Sequence, residues 1–229
     1  MKGSFAALEA ALGYRFSDQD RLAEALTHRS AGSRNNERLE FLGDAVLSAV
    51  IADAVYHRYP DTAEGDLSRL RATLVRKETL AGLARELGLG ERLTLGSGEM
   101  KSGGHRRESI LADAMEAVFG AVFLDGGWEP CRALILRLYE ERLRNLPHPE
   151  ALKDPKTRLQ EFLQARGLPL PEYRVVEEGG EPHARTFRVG CAVSGLNEEI
   201  RASGTSRRKA EQAAAQTALA RLTGGSDHG

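Results

Sequence analysis

Acidic residues occupy one face of a helical stretch near the N-terminus, in line with apolar residues. Glu37, Glu40 and Asp44 stand at i, i+3 and i+7, so their side chains share a face of the helix. The same stripe continues into Leu47 and Ile51, which are typical core residues. Acidic side chains are almost never buried unless they are paired or bound to a metal. This pattern therefore identifies the three carboxylates as candidates for chemistry.

A second helical stretch repeats this arrangement. Asp113 and Glu116 stand at i and i+3 among apolar residues. Two carboxylates about 5 Å apart repel by roughly 3 kcal/mol at an effective dielectric near 20, so converging acids need cations. A site of oxygen ligands without His or Cys favours Mg²⁺ or Mn²⁺ over zinc. If each of the two helices presents two acids, the four carboxylates balance the charge of the two divalent ions of two-metal phosphodiester hydrolysis. The spacing alone leaves a second interpretation open, in which the acids form structural salt bridges with arginines: Arg38, Arg69, Arg71 or Arg76.

The elements that must position these acids fall into two segments. Three prolines between residues 145 and 155 prevent a continuous helix there. Upstream, apolar residues recur at three- and four-residue spacing and predict helices over residues 5–12, 18–26, 36–59, 64–87, 107–124 and 130–143. Downstream, a helix over 157–166, three strands with alternating residues and an Ala-rich helix over 206–222 are predicted. The predicted fold is therefore an all-α domain followed by an α-β-β-β-α domain.

Composition limits the function classes. The 229 residues carry a formal net charge of −1, which excludes nucleic-acid binding through bulk positive charge and requires any basic patch to be local. The two cysteines, Cys131 and Cys191, have no CxxC spacing, so neither a disulfide framework nor a zinc knuckle is expected. Because no apolar run approaches the ~18 residues of a membrane span, we predict a cytoplasmic protein that does not act at a membrane.

The segment from residue 36 to 44, NERLEFLGD, resembles the signature motif of bacterial ribonuclease III. The resemblance extends to residues 26–30 (LTHRS), 64–69 (EGDLSR) and 108–113 (ESILAD), followed by Glu116. The C-terminal half resembles the double-stranded RNA-binding domain of that family, including residues 206–212 (SRRKAEQ). The resemblance covers nearly the whole chain. It implies a nuclease and dimerisation domain over 1–148, a linker over 149–155 and a double-stranded RNA-binding domain over 156–225.

The same resemblance assigns roles to the acids. It implies that Glu40, Asp113 and Glu116 are metal ligands, and that Asp44 and Glu116 are essential to catalysis. It places Glu37 and Glu64 at the edge of the processing centre as auxiliary acids. The implied reaction is in-line attack of water on a phosphodiester, which leaves a 5′-phosphate and a 3′-hydroxyl. The expected cofactor is Mg²⁺, for which Mn²⁺ substitutes; the metal lowers the pKa of the water and stabilises the developing charge.

Three features predict how the second domain binds RNA. The first helix carries a polar face at i, i+3, i+4 and i+7, formed by Thr157, Gln160, Glu161 and Gln164. His183 resembles the loop residue that enters a second minor groove in this domain family. Three cations open the last helix, where they add to its positive N-terminal dipole and can bind phosphates: Arg207, Arg208 and Lys209. A-form RNA is recognised by shape, so weak sequence preference is expected.

The predicted function is therefore a Mg²⁺-dependent endoribonuclease that cleaves double-stranded RNA. Because one centre handles one strand, the resemblance implies a symmetric homodimer, which matches the pseudo-two-fold of a duplex. It also implies processing of ribosomal RNA precursors and structured messenger RNAs. One alternative is a non-catalytic dimer that only binds double-stranded RNA, which would predict loss of at least one acid of the centre. The other is a metal-dependent hydrolase of DNA or nucleotides, against which the α-β-β-β-α module argues.

Overall fold

The computed structural model describes residues 5–147, 153–179 and 185–224. The chain divides into two compact units, Met1–Pro149 and Glu150–Gly229. Within the described residues, no helix is long and apolar enough to cross a membrane.

The first unit is helical, and its described elements follow one another in this order: α1 (Ala6–Leu12), α2 (Gln19–Ala25), α3 (Glu37–Arg58), α4 (Glu64–Val75), α5 (Lys77–Glu86), α6 (Ser97–Lys101), α7 (Glu108–Gly126) and α8 (Trp128–Arg144). Helix α7 lies at the centre, and most of its residues are buried against α2, α3, α5 and α8. Among the described residues of this unit, extended pairing is limited to an isolated parallel bridge between Thr27 and Thr94. The predicted all-α domain is confirmed.

Two glycines allow α3 and α7 to cross in close contact. A Cβ atom added to Gly43 would lie 1.8 Å from the carbonyl oxygen of Glu116, and one added to Gly120 would lie 2.2 Å from the carbonyl oxygen of Leu39. No real side chain tolerates such distances, so only glycine permits this approach of the two backbones. The acidic residues sit on these two helices, so the crossing brings them together.

The structure differs from the sequence prediction at two elements of this unit. The helix predicted over 64–87 is broken at Arg76, whose extended backbone (φ −68°, ψ 155°) separates α4 from α5. The break turns α5 so that Leu80, Leu83 and Ala84 are buried, and α5 packs on α7. In addition, residues 97–101, over which no helix was predicted, form the short helix α6.

The second unit has the predicted α-β-β-β-α order: α9 (Pro155–Gln164), β1 (Glu172–Gly179), β2 (Thr186–Ala192), β3 (Ile200–Gly204) and α10 (Arg207–Gly224). The strands form an antiparallel sheet in the order β1-β2-β3. Leu159 and Leu163 of α9 pack with Cys191, Ile200 and the small apolar face of α10 in one core. Both helices therefore cover the same face of the sheet.

Side-chain caps begin both helices of this unit. The Asp154 carboxylate accepts hydrogen bonds from the backbone N–H groups of Lys156 and Thr157, and Pro155 occupies the first turn of α9. The hydroxyl of Ser206, which immediately precedes α10, accepts a hydrogen bond from Lys209 N–H at 3.2 Å.

Candidate active site and RNA-binding surface

Three carboxylates converge where α3 crosses α7. Glu40, Asp113 and Glu116 each contribute an oxygen atom, and these atoms lie within 4.8 Å of one another. All three residues are partly buried. In the part of the chain that the structure describes, no Lys or Arg forms an ion pair with any of them. The salt-bridge interpretation does not describe these three acids; two of the arginines that it invoked pair elsewhere, Arg69 with Asp66 and Arg76 with Glu78.

Burial and mutual repulsion make these carboxylates hold protons more tightly than usual. Burial raises the pKa of Glu116 to about 8, with further contributions from the charges of Asp44, Glu40 and Asp113. The pKa of Glu40 is raised by burial and by Asp113, and the pKa of Asp113 is raised by burial. The ammonium group of Lys77 opposes all three shifts. A group of partly buried carboxylate oxygens that forms no ion pair with Lys or Arg among the described residues is suited to binding a divalent cation.

The remaining predicted acids lie at different distances from this cluster. Asp44 is exposed on α3, one turn beyond Glu40, and is close enough to raise the pKa of Glu116. Glu37 is exposed and lines a cavity of about 370 Å³ together with Glu40. Glu64 lies at the start of α4, where its carboxylate accepts a hydrogen bond from the Ser68 hydroxyl at 2.7 Å, and it is not part of the three-carboxylate cluster.

The cavity beside the cluster contains residues that sequence reasoning did not select. Asn36 is 2% exposed and its amide Nδ2 has no hydrogen-bond partner among the described residues. Arg107 lines the same cavity and pairs with Glu99 at 2.6 Å. Asn36 immediately precedes the acidic stripe, so its position in the sequence could have identified it as a residue of this site. Nothing in the sequence connected Lys77 to the acids, since they meet only through tertiary packing.

The predicted polar face of α9 is only partly free. Gln160, Glu161 and Gln164 are exposed, whereas Thr157 is half-buried. The Thr157 hydroxyl donates a hydrogen bond to Asp154 at 3.0 Å, and Glu161 accepts one from the Lys153 ammonium at 2.7 Å. The glutamines therefore present the freest donors and acceptors on this face.

The first turn of α10 presents the predicted cations. Arg207, Arg208 and Lys209 are all exposed, and Arg207 donates a hydrogen bond from Nε to the Glu211 carboxylate at 2.8 Å. His183, the predicted loop contact, lies outside the described residues.

Two features of a nucleic-acid hydrolase are thus present on one chain: a helical unit with a carboxylate cluster suited to a divalent cation, and an α-β-β-β-α unit with a cationic helix start.

Comparison with known proteins identifies the family. Residues 18–143 match the family model described as "Ribonuclease-III-like", and residues 155–222 match the "Double-stranded RNA binding motif". The chain is 58% identical over 215 residues to Ribonuclease 3 of Proteus mirabilis (strain HI4320), covering 94% of this chain and 95% of that protein. This chain belongs to the ribonuclease III family, and it is an endoribonuclease with a nuclease domain and a double-stranded RNA-binding domain.

Solved structures of relatives agree with this assignment. The chain is similar to two structures of the nuclease domain of ribonuclease III from Campylobacter jejuni. One shows 44% identity with a TM-score of 0.61 and covers 64% of this chain and 100% of that one. The other, described as showing structural flexibility in a region involved in dimer formation, shows 45% identity with a TM-score of 0.59 and covers 60% of this chain and 97% of that one. The family is metal-dependent, in agreement with the acidic cluster.

Proposed function

We propose that Glu40, Asp113 and Glu116 hold Mg²⁺, with Mn²⁺ as a substitute, and that the chain uses this centre to cleave double-stranded RNA. The observation that carries the proposal is the convergence of three partly buried carboxylate oxygens within 4.8 Å. Their repulsion is offset when a divalent cation binds, and an all-oxygen donor set suits a hard cation. The products are a 5′-phosphate and a 3′-hydroxyl.

In the proposed centre, three carboxylates bind the metal and a fourth interacts with the attacking water. When bound, the metal stabilises negative charge on the phosphate oxygens and lowers the pKa of water. Glu40, Asp113 and Glu116 fix its position, while the exposed carboxylate of Asp44 lies beside Glu116, where it can accept a hydrogen bond from the attacking water and orient it. No protein nucleophile is required. The Cys131 thiol is unsuited to that role, since burial raises its pKa to about 12.

We assign Glu37 and Glu64 to the edge of the processing centre and propose that two copies of the chain form a homodimer. Apolar side chains that would otherwise face water support this: on α3, Phe41 is 81% exposed and Tyr56 is 65% exposed. Glu64 lines a groove with Tyr56, so its carboxylate would lie at such an interface. The nuclease domain from Campylobacter jejuni likewise has a region involved in dimer formation.

The second domain supplies recognition of the duplex. We propose that Gln160, Gln164, Thr157 and Glu161 follow a minor groove and that His183 enters the next one. The cations that open α10 bind phosphates across the major groove between them. The proposed domain limits are 1–148 for the nuclease, 149–155 for the linker and 156–225 for the RNA-binding domain. In the cell, the proposed substrates are ribosomal RNA precursors and structured messenger RNAs in the cytoplasm.

A cleavage assay on a long end-labelled RNA duplex tests this function. We expect Mg²⁺-dependent cleavage of the RNA duplex, with single-stranded RNA and a DNA duplex of the same sequence left intact as controls. End analysis should give 5′-phosphates. A duplex that is retarded on a gel but remains uncut in Mg²⁺ would instead support the non-catalytic RNA-binding dimer, and cleavage of the DNA duplex would contradict the RNA specificity.

A further inference from the structure

We propose that Glu211 is a positioning residue of the RNA-binding surface, whose buried carboxylate holds Lys156 and Arg207 in place to bind RNA phosphates. The inference rests on the proposed binding of double-stranded RNA. It adds Lys156 to the residues that contact the duplex and gives a function to an acid that lies among cations.

The geometry shows one carboxylate shared by two helices. Glu211 of α10 is 8% exposed. One carboxylate oxygen accepts a hydrogen bond from Lys156 Nζ of α9 at 2.7 Å, and the other accepts one from Arg207 Nε, one turn earlier on α10, at 2.8 Å. The Lys156 ammonium also lies 4.5 Å from the ring centroid of Tyr173. Three independent contacts therefore define where Lys156 and Arg207 are held.

Both cations keep donors free for a ligand. A guanidinium has five N–H groups and an ammonium has three, and the contacts with Glu211 use one of each. The Arg207 side chain is 65% exposed and that of Lys156 is 36% exposed, whereas that of Glu211 is 11% exposed. The acid is thus buried beneath the two cations, and the surface that a duplex meets is positive.

The first turns of both helices contribute to this surface. Asp154 caps α9, and hydrogen bonds from Thr157 and Lys156 lower the pKa of its carboxyl group. The charge of Arg208 also lowers this pKa, so Arg208 lies near the start of α9. Helices α9 and α10 pack against each other. The N-terminal turns of two helices, each with a positive dipole end, therefore present Lys156, Arg207 and their neighbours together, which suits a row of phosphates.

The proposed positioning role and simple electrostatics predict opposite effects of one substitution on the strength of duplex binding. Glu211→Gln removes a negative charge from a phosphate-binding surface, which by charge alone should tighten duplex binding. If the carboxylate positions the two cations, the same substitution weakens binding, because Lys156 and Arg207 lose the contact that orders them. Gln has nearly the same size, which keeps the local packing similar, but its amide nitrogen is a donor and cannot accept the hydrogen bond that one carboxylate oxygen accepts.

Glu199 provides a matched control. Its carboxylate also accepts hydrogen bonds from two arginines, Arg174 at 2.6 and 2.9 Å and Arg201 at 3.1 Å, and its side chain is 20% exposed. It lies over Gly190, since a Cβ there would be 2.5 Å from its carboxyl carbon. Gly190 precedes core residue Cys191, so strand alternation places it on the sheet face opposite the helices.

The experiment measures binding of the full-length chain to an RNA duplex without divalent metal, as a function of salt. For Glu211→Gln we expect about tenfold weaker binding and a salt slope reduced by about one, the loss of roughly one phosphate contact. Glu199→Gln should bind like the parent chain, and in Mg²⁺ Glu211→Gln should raise KM without lowering kcat. Equal or tighter binding by Glu211→Gln would overturn the inference.

A second variant removes one of the two cations and leaves the acid in place. Lys156→Met should also lower the salt slope by about one; an unchanged slope would contradict the inference, even if Glu211→Gln failed to fold. Failure of the parent chain to bind the duplex would instead contradict the proposed function.

Discussion

Glu116 is the most deeply buried of the three converging carboxylates, and its pKa of about 8 means that it is mostly protonated at neutral pH in the metal-free protein. A carboxylate must lose its proton to bind a cation. Metal binding is therefore coupled to proton release, and the affinity for metal should rise as the pH increases towards 8. The direction of this pH dependence follows from the burial of Glu116 and from the negative charges around it, both of which favour its neutral form.

We predict that Mn²⁺ or Mg²⁺ binding at pH 7 releases close to one proton from Glu116, because a group with a pKa of about 8 is about nine-tenths protonated there. Calorimetric titration in buffers of different ionisation enthalpy measures this number. The release should decline above pH 8. Proton release that does not change between pH 7 and pH 9 would contradict the account.

For individual residues, the sequence predicts which side chains share a helix face, because spacing alone determines this. The i, i+3 relation of Asp113 and Glu116 and the apolar residues around them were enough to predict that the two acids share a face, and the structure shows both partly buried on it. The acidic stripe on α3 lies in line with core residues, but only Glu40 is partly buried, whereas Glu37 and Asp44 are exposed. A helical pattern identifies a face, but the partner helix decides which part of that face it covers.

Among the elements, the crossing of α3 and α7 is the feature on which the centre depends. Gly43 contacts the backbone of Glu116, and Gly120 contacts the backbone of Leu39. A side chain at either glycine must move one helix away from the other, and that movement separates Glu40 from Asp113 and Glu116. Close packing and the geometry of the metal site are therefore determined by the same contact.

We predict that Gly43→Ala destabilises the nuclease unit by about 1–3 kcal/mol or more, as an overpacked contact with rigid backbone, and strongly reduces cleavage. Thermal unfolding and the duplex assay measure the two effects. Gly98→Ala is the matched control, because a Cβ there has nothing within 4 Å and Gly98 also lies in a helix. A Gly43→Ala variant with the stability and activity of the parent chain would contradict the proposed importance of the crossing.

The order of elements could be predicted from the sequence, whereas the break between α4 and α5 could not. Residues 64–87 keep helical spacing of apolar residues across Arg76, so periodicity alone gives no break there. The break arises because α5 packs on α7 in a new direction. The change from three- and four-residue to two-residue spacing did identify the second domain correctly, since its strands have one face on the core and one in water.

For the whole molecule, the proposed dimer explains how a duplex is cut on both strands. Each chain contains one carboxylate cluster among its described residues, and one centre handles one strand. Two centres related by a two-fold axis match the symmetry of the duplex backbone. The exposed apolar side chains of Phe41 and Tyr56 on α3 provide surface for such a contact.

We predict that a dimer with one active and one Glu116→Gln chain nicks a duplex on one strand only. Differently tagged chains can be co-expressed, and the mixed dimer isolated by two affinity steps. A denaturing gel with each strand labelled separately measures the cuts. Equal cutting of both strands by the mixed dimer in a single binding event would contradict the assignment of one centre to each strand.

The central claim is that Glu40, Asp113 and Glu116 form the metal centre on which cleavage depends. The most direct measurement compares the parent chain with Glu116→Gln, with duplex binding and Mg²⁺-dependent cleavage measured on the same samples. The substitution removes a ligand charge and keeps the shape of the side chain. We predict that cleavage falls by at least about 10²-fold while the duplex is still bound, because phosphate contacts of the second domain are untouched. Cleavage at the rate of the parent chain, or loss of binding together with cleavage, would contradict this account.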